Sequence, residues 1–364
     1  MAYSLNRINA KQLALAFIAS RLTTEMIMRP GDLIRYGSER FIAILIAKLC
    51  VLILYLPLLF LTAKFRGDNF LTAALRRNRV YGVILSVIFG VILLSVTVNS
   101  ILNLQLYITD TLLGEMLLIS GVLIITAVSL YGAWKGASTI TRTAVFGTAI
   151  FAFLVILIFV TMADKLDFAY LYPVYIDDGS YLFRAIISEI SCNSEILVFA
   201  VLCKNITDKP SKAVYYSLAV IFVLLELVNL LYNLVFGPYL NELEYPLYVI
   251  SSLSDVVVFQ RLDGIDAIVW LLCGIIKISL LFTCAGELFK TSCGKGGRGR
   301  FLFFYGAVTV ALCMITGSDR RYYDALQNIL HTSLPLVLAG VVIPLVVLFT
   351  GKKASGKDVV NEEN

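Results

Sequence analysis

Ser188-Glu189-Ile190-Ser191-Cys192-Asn193-Ser194-Glu195 lies in the middle of a run, Tyr181 to Leu202, that is otherwise long and apolar enough to cross a bilayer. Two carboxylates, an amide and three hydroxyls therefore fall where hydrocarbon would surround them. A charge near the bilayer centre costs roughly 2.5–3.5 kcal/mol on insertion scales, so such residues face a partner, a cavity or a substrate. The stretch makes a buried functional centre the first expectation.

The flanking sequence is of the same kind. Of 364 residues, 59% are hydrophobic and 15% charged, against about 25% charged in a soluble domain. The apolar residues cluster in runs, which defines an all-α polytopic membrane protein. Ten spans are expected. The first five are Ala10–Met28, Phe41–Ala63, Val80–Leu102, Leu112–Ala133 and Thr143–Met162. The second five are Tyr181–Leu202, Ala213–Phe236, Leu262–Ala285, Phe301–Ile315 and Ser333–Thr350, the ninth being the shortest. They form one transmembrane domain over residues 1–350, in halves of about 8–162 and 181–350, and a polar tail, 351–364, is expected to be disordered.

Loops on the N-terminal side of the membrane hold nineteen Lys and Arg, and the opposite loops seven, so both termini are expected to be cytoplasmic. The net charge of +5 comes from these short loops, which excludes a nucleic-acid surface. No cleaved signal is expected, because Arg29-Pro30-Gly31 follows the first apolar run. Seven cysteines form no CxxC pair and there is one histidine, His331, so neither disulfides, a metal site nor a cofactor is expected. Gly294–Arg300 lacks the spacing of a phosphate loop and reads as a basic turn. No Ser/His/acid or Cys/His set is present, and the chain is not read as an enzyme.

The first span carries its own polar cluster, Ser20-Arg21-Leu22-Thr23-Thr24-Glu25. Ten spans divide into two sets of five, and an odd number per set inverts one against the other. Polar clusters in the first helix of each half point to paired interrupted helices around a binding site. The competing reading is two continuous helices joined by interhelical hydrogen bonds, since neither cluster has Gly or Pro. Lys277, mid-span in the eighth segment, is either a tethered cation facing Glu25 or Glu195, in the place of a coupling ion, or a structural ion pair. Glu226, Asn229 and Asn233 make one stripe of the seventh span, read as helix contact. Ser95, Thr97, Asn99 and Asn103 suit packing or cavity lining, and Lys48 and Glu115 lie close enough to span ends to snorkel.

Several motifs, in order, resemble one family, the spore-germination permeases. They are Phe65-Arg66-Gly67-Asp68; Tyr131-Gly132-Ala133-Trp134-Lys135-Gly136 with Arg142-Thr143; Asn193-Ser194-Glu195; Tyr245-Pro246; and Arg261-Leu262-Asp263 with Trp270 and Lys277-Ile278-Ser279. The resemblance covers essentially the whole chain. It implies the B-type subunit of a nutrient germinant receptor in the spore inner membrane, within the amino acid–polyamine–organocation superfamily and its LeuT-like five-plus-five inverted repeat. It also implies A-type and C-type receptor subunits as partners, and a small germinant, often an amino acid, bound between segments 1, 3, 6 and 8. The superfamily's glycine-rich break in segment 1 is replaced here by Ser20-Arg21-Leu22-Thr23-Thr24. Thr23, Thr24, Glu25, Ser191, Asn193 and Glu195 are the expected pocket, with Lys277 and Arg21 as counter-charges. The alternatives are a proton-coupled amino acid transporter of the same superfamily and a non-binding assembly subunit.

Overall fold

A computed structural model describes residues 7–27, 37–65, 68–114, 116–171, 179–254, 263–293 and 297–351. Arg29, Arg66, Gly67, Glu115, Arg261 and the expected disordered tail from residue 352 lie outside these ranges. With no water in the hydrocarbon to satisfy backbone groups, each spanning segment must bond within itself. The elements are accordingly helices: α1 (Ala10–Ile27), α2 (Glu39–Lys64), α3 (Phe70–Arg77), α4 (Arg79–Thr111), α5 (Leu118–Lys135), α6 (Ala137–Thr161), α7 (Gly179–Ser191), α8 (Glu195–Leu202), α9 (Pro210–Phe236), α10 (Pro246–Leu253), α11 (Asp263–Cys293), α12 (Arg298–Ser318), α13 (Arg320–His331), α14 (Leu334–Val337) and α15 (Ile343–Thr350). A π-helical turn, Leu338–Val342, joins the last two.

Among the described residues, eight helical segments are long and apolar enough to span a membrane, or nine if α13 and the α14–α15 rod, bent by 47°, count as one. α1 is not among them, because its 18 residues include Lys11, Arg21 and Glu25. It is nevertheless interior, packed on α9, α6 and α11. The α7–α8 segment and α11 form the centre, with 78% of each apolar window buried, whereas α4 and α12 have 28% buried and line the periphery. Peripheral side chains such as Phe146, Phe153 and Phe349 are exposed, as a lipid-facing surface requires. α1 packs on α9 while α7 packs on α2, an exchange of partners that fits two related halves.

The expected interruptions divide. The segment quoted above is broken: α7 ends at Ser191 and α8 begins at Glu195. Side chains stand in for the lost ladder. Ser191 Oγ donates to Ser188 O (2.6 Å), Asn193 Nδ2 to Glu189 O (2.7 Å), and Asn193 N to Ile190 O (3.1 Å). The expected interruption of the first helix is corrected: α1 runs unbroken through Ser20–Glu25. Thr23 Oγ1 and Thr24 Oγ1 bond back to Ala19 O (3.0 Å) and Ser20 O (3.5 Å), so these hydroxyls decorate an intact ladder.

After Tyr245-Pro246 comes the short helix α10. Pro246, Leu247, Ile250 and Ser251 are buried against α9 and α11. Gly136, at φ 97°, makes the reversal between α5 and α6 that a side chain would strain. Outside the helices, Ile8 and Ile206 form a parallel bridge, with Ile8 N donating to Asn205 O and Thr207 N to Ile8 O, both 3.0 Å. The bridge ties the entry of α1 to the segment just beyond α8.

Candidate functional site

Helical spacing places the polar residues of α1 on two adjacent stripes, since residues four apart share a face. Arg21 and Glu25 form one, and Ser20 and Thr24 the other. The first stripe meets α2 and α7. Arg21, fully buried, donates through Nη2 to Glu189 Oε1 (2.5 Å) and to Glu25 Oε2 (3.3 Å). Arg40, from the start of α2, binds the other oxygen of Glu25. Lys48 donates to Glu189 Oε1 (2.9 Å) and to Asn193 Oδ1 (3.2 Å) at the break.

The second stripe meets α8 and α11. Ser20 Oγ donates to Glu195 Oε1 (2.6 Å), and Lys277 Nζ donates to Thr24 Oγ1. Glu195 attracts the Lys277 ammonium. The two stripes thus carry the break of the α7–α8 segment between them. Four cations, Arg21, Arg40, Lys48 and Lys277, face three carboxylates, Glu25, Glu189 and Glu195, and every one of these seven residues is at most 6% exposed. Buried charges are tolerated only when paired and hydrogen-bonded. Among the described residues, Arg21 Nε, Arg21 Nη1 and Glu195 Oε2 have no hydrogen-bond partner.

The expected site residues are therefore mostly brought together, in a pattern the sequence did not specify. Glu25, Arg21, Asn193, Glu195, Thr24 and Lys277 all belong to the network. Thr23 and Ser191 spend their hydroxyls on their own helices. Lys277 contacts Thr24, not Glu25. Lys48 is corrected from a snorkelling residue to a network member, because α2 starts at Glu39 and so buries it more than two turns in. Glu189 was inside the quoted stretch but is absent from the expected pocket, and Arg40 and Ser20 were not assigned. The signal for Arg40 was the cluster of arginines on the otherwise Lys/Arg-poor side of the membrane.

In α4, Ser95 and Thr97 bond Val91 O (3.1 Å) and Leu93 O (2.7 Å), and Asn103 accepts from Tyr323 (2.7 Å) and Gln327 (2.9 Å) of α13. Asn233 Nδ2 bonds Asn229 O (2.8 Å), and Asn233 Oδ1 accepts from Gly37 N (3.1 Å), in keeping with a contact stripe on α9.

A helical bundle with a broken central segment and a buried polar network at the break is the architecture of the LeuT-like transporters, and the structural likenesses agree. A nucleobase-cation-symport-1 family transporter, closed with bromovinylhydantoin bound, superposes with TM-score 0.70 at 12% identity, covering 99% of this chain and 97% of that one. A substrate-bound, outward-open Na⁺-coupled sialic acid symporter superposes with TM-score 0.65 at 11% identity, covering 96% and 90%. The chain belongs to the spore germination protein family, whose model matches residues 7–321. No curated protein matches the sequence.

Proposed function

We propose that this protein is the membrane-embedded, B-type subunit of a nutrient germinant receptor, binding a small zwitterionic germinant where α1, the α7–α8 break and α11 converge. The observation that carries the reading is the arrangement of unpartnered atoms: Arg21 Nε and Nη1 offer buried donors, and Glu195 Oε2 a buried acceptor. A carboxylate suits the former and an ammonium the latter, as in an amino acid. The protein then sits in the spore inner membrane with cytoplasmic termini. Binding shifts the balance between two arrangements of the bundle, through differential affinity alone, and A-type and C-type subunits read the shift.

Glu195→Gln tests this. The amide retains an oxygen for Ser20 but loses the charge for an ammonium, so germinant binding to the assembled receptor should fall about tenfold or more, at unchanged assembly. Lys277→Met should weaken the response by releasing Thr24. Wild-type binding and response in both variants would remove the pocket and leave an assembly subunit. Concentrative uptake of labelled amino acid by the reconstituted subunit alone would make it a transporter.

A further inference from the structure

A second polar cluster lies at the N-terminal end of α11, away from the network. Lys277 is three turns further along the same helix, about 16 Å at 1.5 Å per residue. Asp266 is fully buried there, and neither carboxylate oxygen meets hydrogen-bond geometry with any partner. Its neighbours are Trp270, one turn on in α11, and Ser251 of α10. It acts electrostatically on Tyr107 of α4 and Tyr232 of α9. The Trp270 Nε1 and the Tyr107 hydroxyl are also buried without partners. Asp266 and Trp270 thus set unmet polar atoms one turn apart on one helix, where almost every buried polar group is normally satisfied.

Among the described residues, the charges around Asp266 do not neutralise it. Asp263 on its own helix has the same sign. From α4, Asp110 is already bound by the Tyr245 hydroxyl (2.8 Å), and Tyr248 donates to Thr111 O (3.1 Å). Lys165 is exposed and donates to Leu253 O at the end of α10 (2.9 Å). An uncompensated carboxylate in an apolar interior is disfavoured, so the group must take a cation or a proton. A hard metal cation needs about six oxygen ligands. The surroundings instead present an indole N–H, which only donates, and the Ser251 hydroxyl, which already donates to Tyr248 O (2.8 Å). A carboxylic acid fits better. Its O–H can donate to the Ser251 hydroxyl oxygen, and once the proton leaves, the Trp270 N–H can donate to the carboxylate.

We propose that Asp266, framed by Trp270 and by the Ser251 hydroxyl of α10, is a proton-binding site that exchanges its proton when α10 moves off α11. No further reactant is involved: the proton passes between solvent and one carboxylate oxygen.

The test is infrared difference spectroscopy of the intact protein in lipid vesicles, between acidic and alkaline buffer, with aspartate carboxyl groups isotope-labelled. An aspartic-acid C=O band that disappears on alkalinisation, is missing in Asp266→Asn and is shifted in Ser251→Ala is the expected result. Identical difference bands in wild type and Asp266→Asn overturn the proposal. So does saturable removal of the band by Na⁺ or K⁺ at fixed pH, which would make it a metal-cation site. Should Asp266→Asn not accumulate, a band unmoved in both Asp266→Glu and Ser251→Ala overturns it equally.

Discussion

Glu189 illustrates what a single buried residue does here. One oxygen accepts from both Arg21 (2.5 Å) and Lys48 (2.9 Å), so the carboxylate joins α1 and α2 to α7. Removing one partner of a buried pair costs about 3–5 kcal/mol, since the remaining charge is stranded. Glu189→Ala should therefore destabilise the solubilised protein by about that amount, read as a lowered unfolding midpoint, because Lys48 loses its carboxylate and Arg21 keeps only Glu25. Glu195→Gln should cost less, because Ser20 keeps an acceptor and Lys277, which Glu195 attracts without a hydrogen bond, keeps its bond to Thr24. Equal destabilisation by the two would contradict the division into a structural carboxylate and a ligand-facing one. The charges of both residues were legible in the sequence. Their partners were not, because pairing depends on which helices meet, and depth judged by distance along the chain misplaced Lys48.

The helices show where local sequence decides and where it does not. Apolar runs located the spans well, with α2, α6 and α9 starting and ending within a few residues of expectation. Interruption was harder to read, since both polar clusters lack Gly and Pro. Asn193 distinguishes them. Its amide bonds Glu189 O (2.7 Å) and accepts from Lys48 (3.2 Å), serving both the freed carbonyl and the buried cation. α1 has no such amide, and its threonines bond back to a continuous helix. Asn193→Leu should remove both bonds at once, destabilising by about 1–3 kcal/mol for the unmet buried group. Amide hydrogen exchange at residues 192–196 reads this directly, and should accelerate while exchange in α1 stays unchanged. A uniform acceleration would mean that Asn193 supports the whole bundle and not the break.

Across the whole molecule, α2 acts as the clasp. It sends Arg40 to Glu25 on α1 and Lys48 to Glu189 on α7, while the Ile8–Ile206 bridge holds the far end of the α1–α8 pair. Any arrangement that separates α1 from α7 must break the ion pairs from α2, whereas one hinging about the bridge can leave it intact. Cys192 reports on this, because it sits in the break at 5% exposure with its thiol bonded to Ser188 O (3.1 Å). The double variant Arg40→Gln, Lys48→Met keeps length and packing but removes the clasp's charges. Each 1.4 kcal/mol shifted toward the open arrangement multiplies its population about tenfold. Alkylation of Cys192, resolved by peptide mass from that of exposed Cys293, should accelerate about tenfold in the double variant. Saturating germinant should slow it again by favouring the closed arrangement. Acceleration at Cys192 without this protection would place the clasp outside the ligand-linked motion, and no acceleration at all would show that α2 does not hold the two helices together.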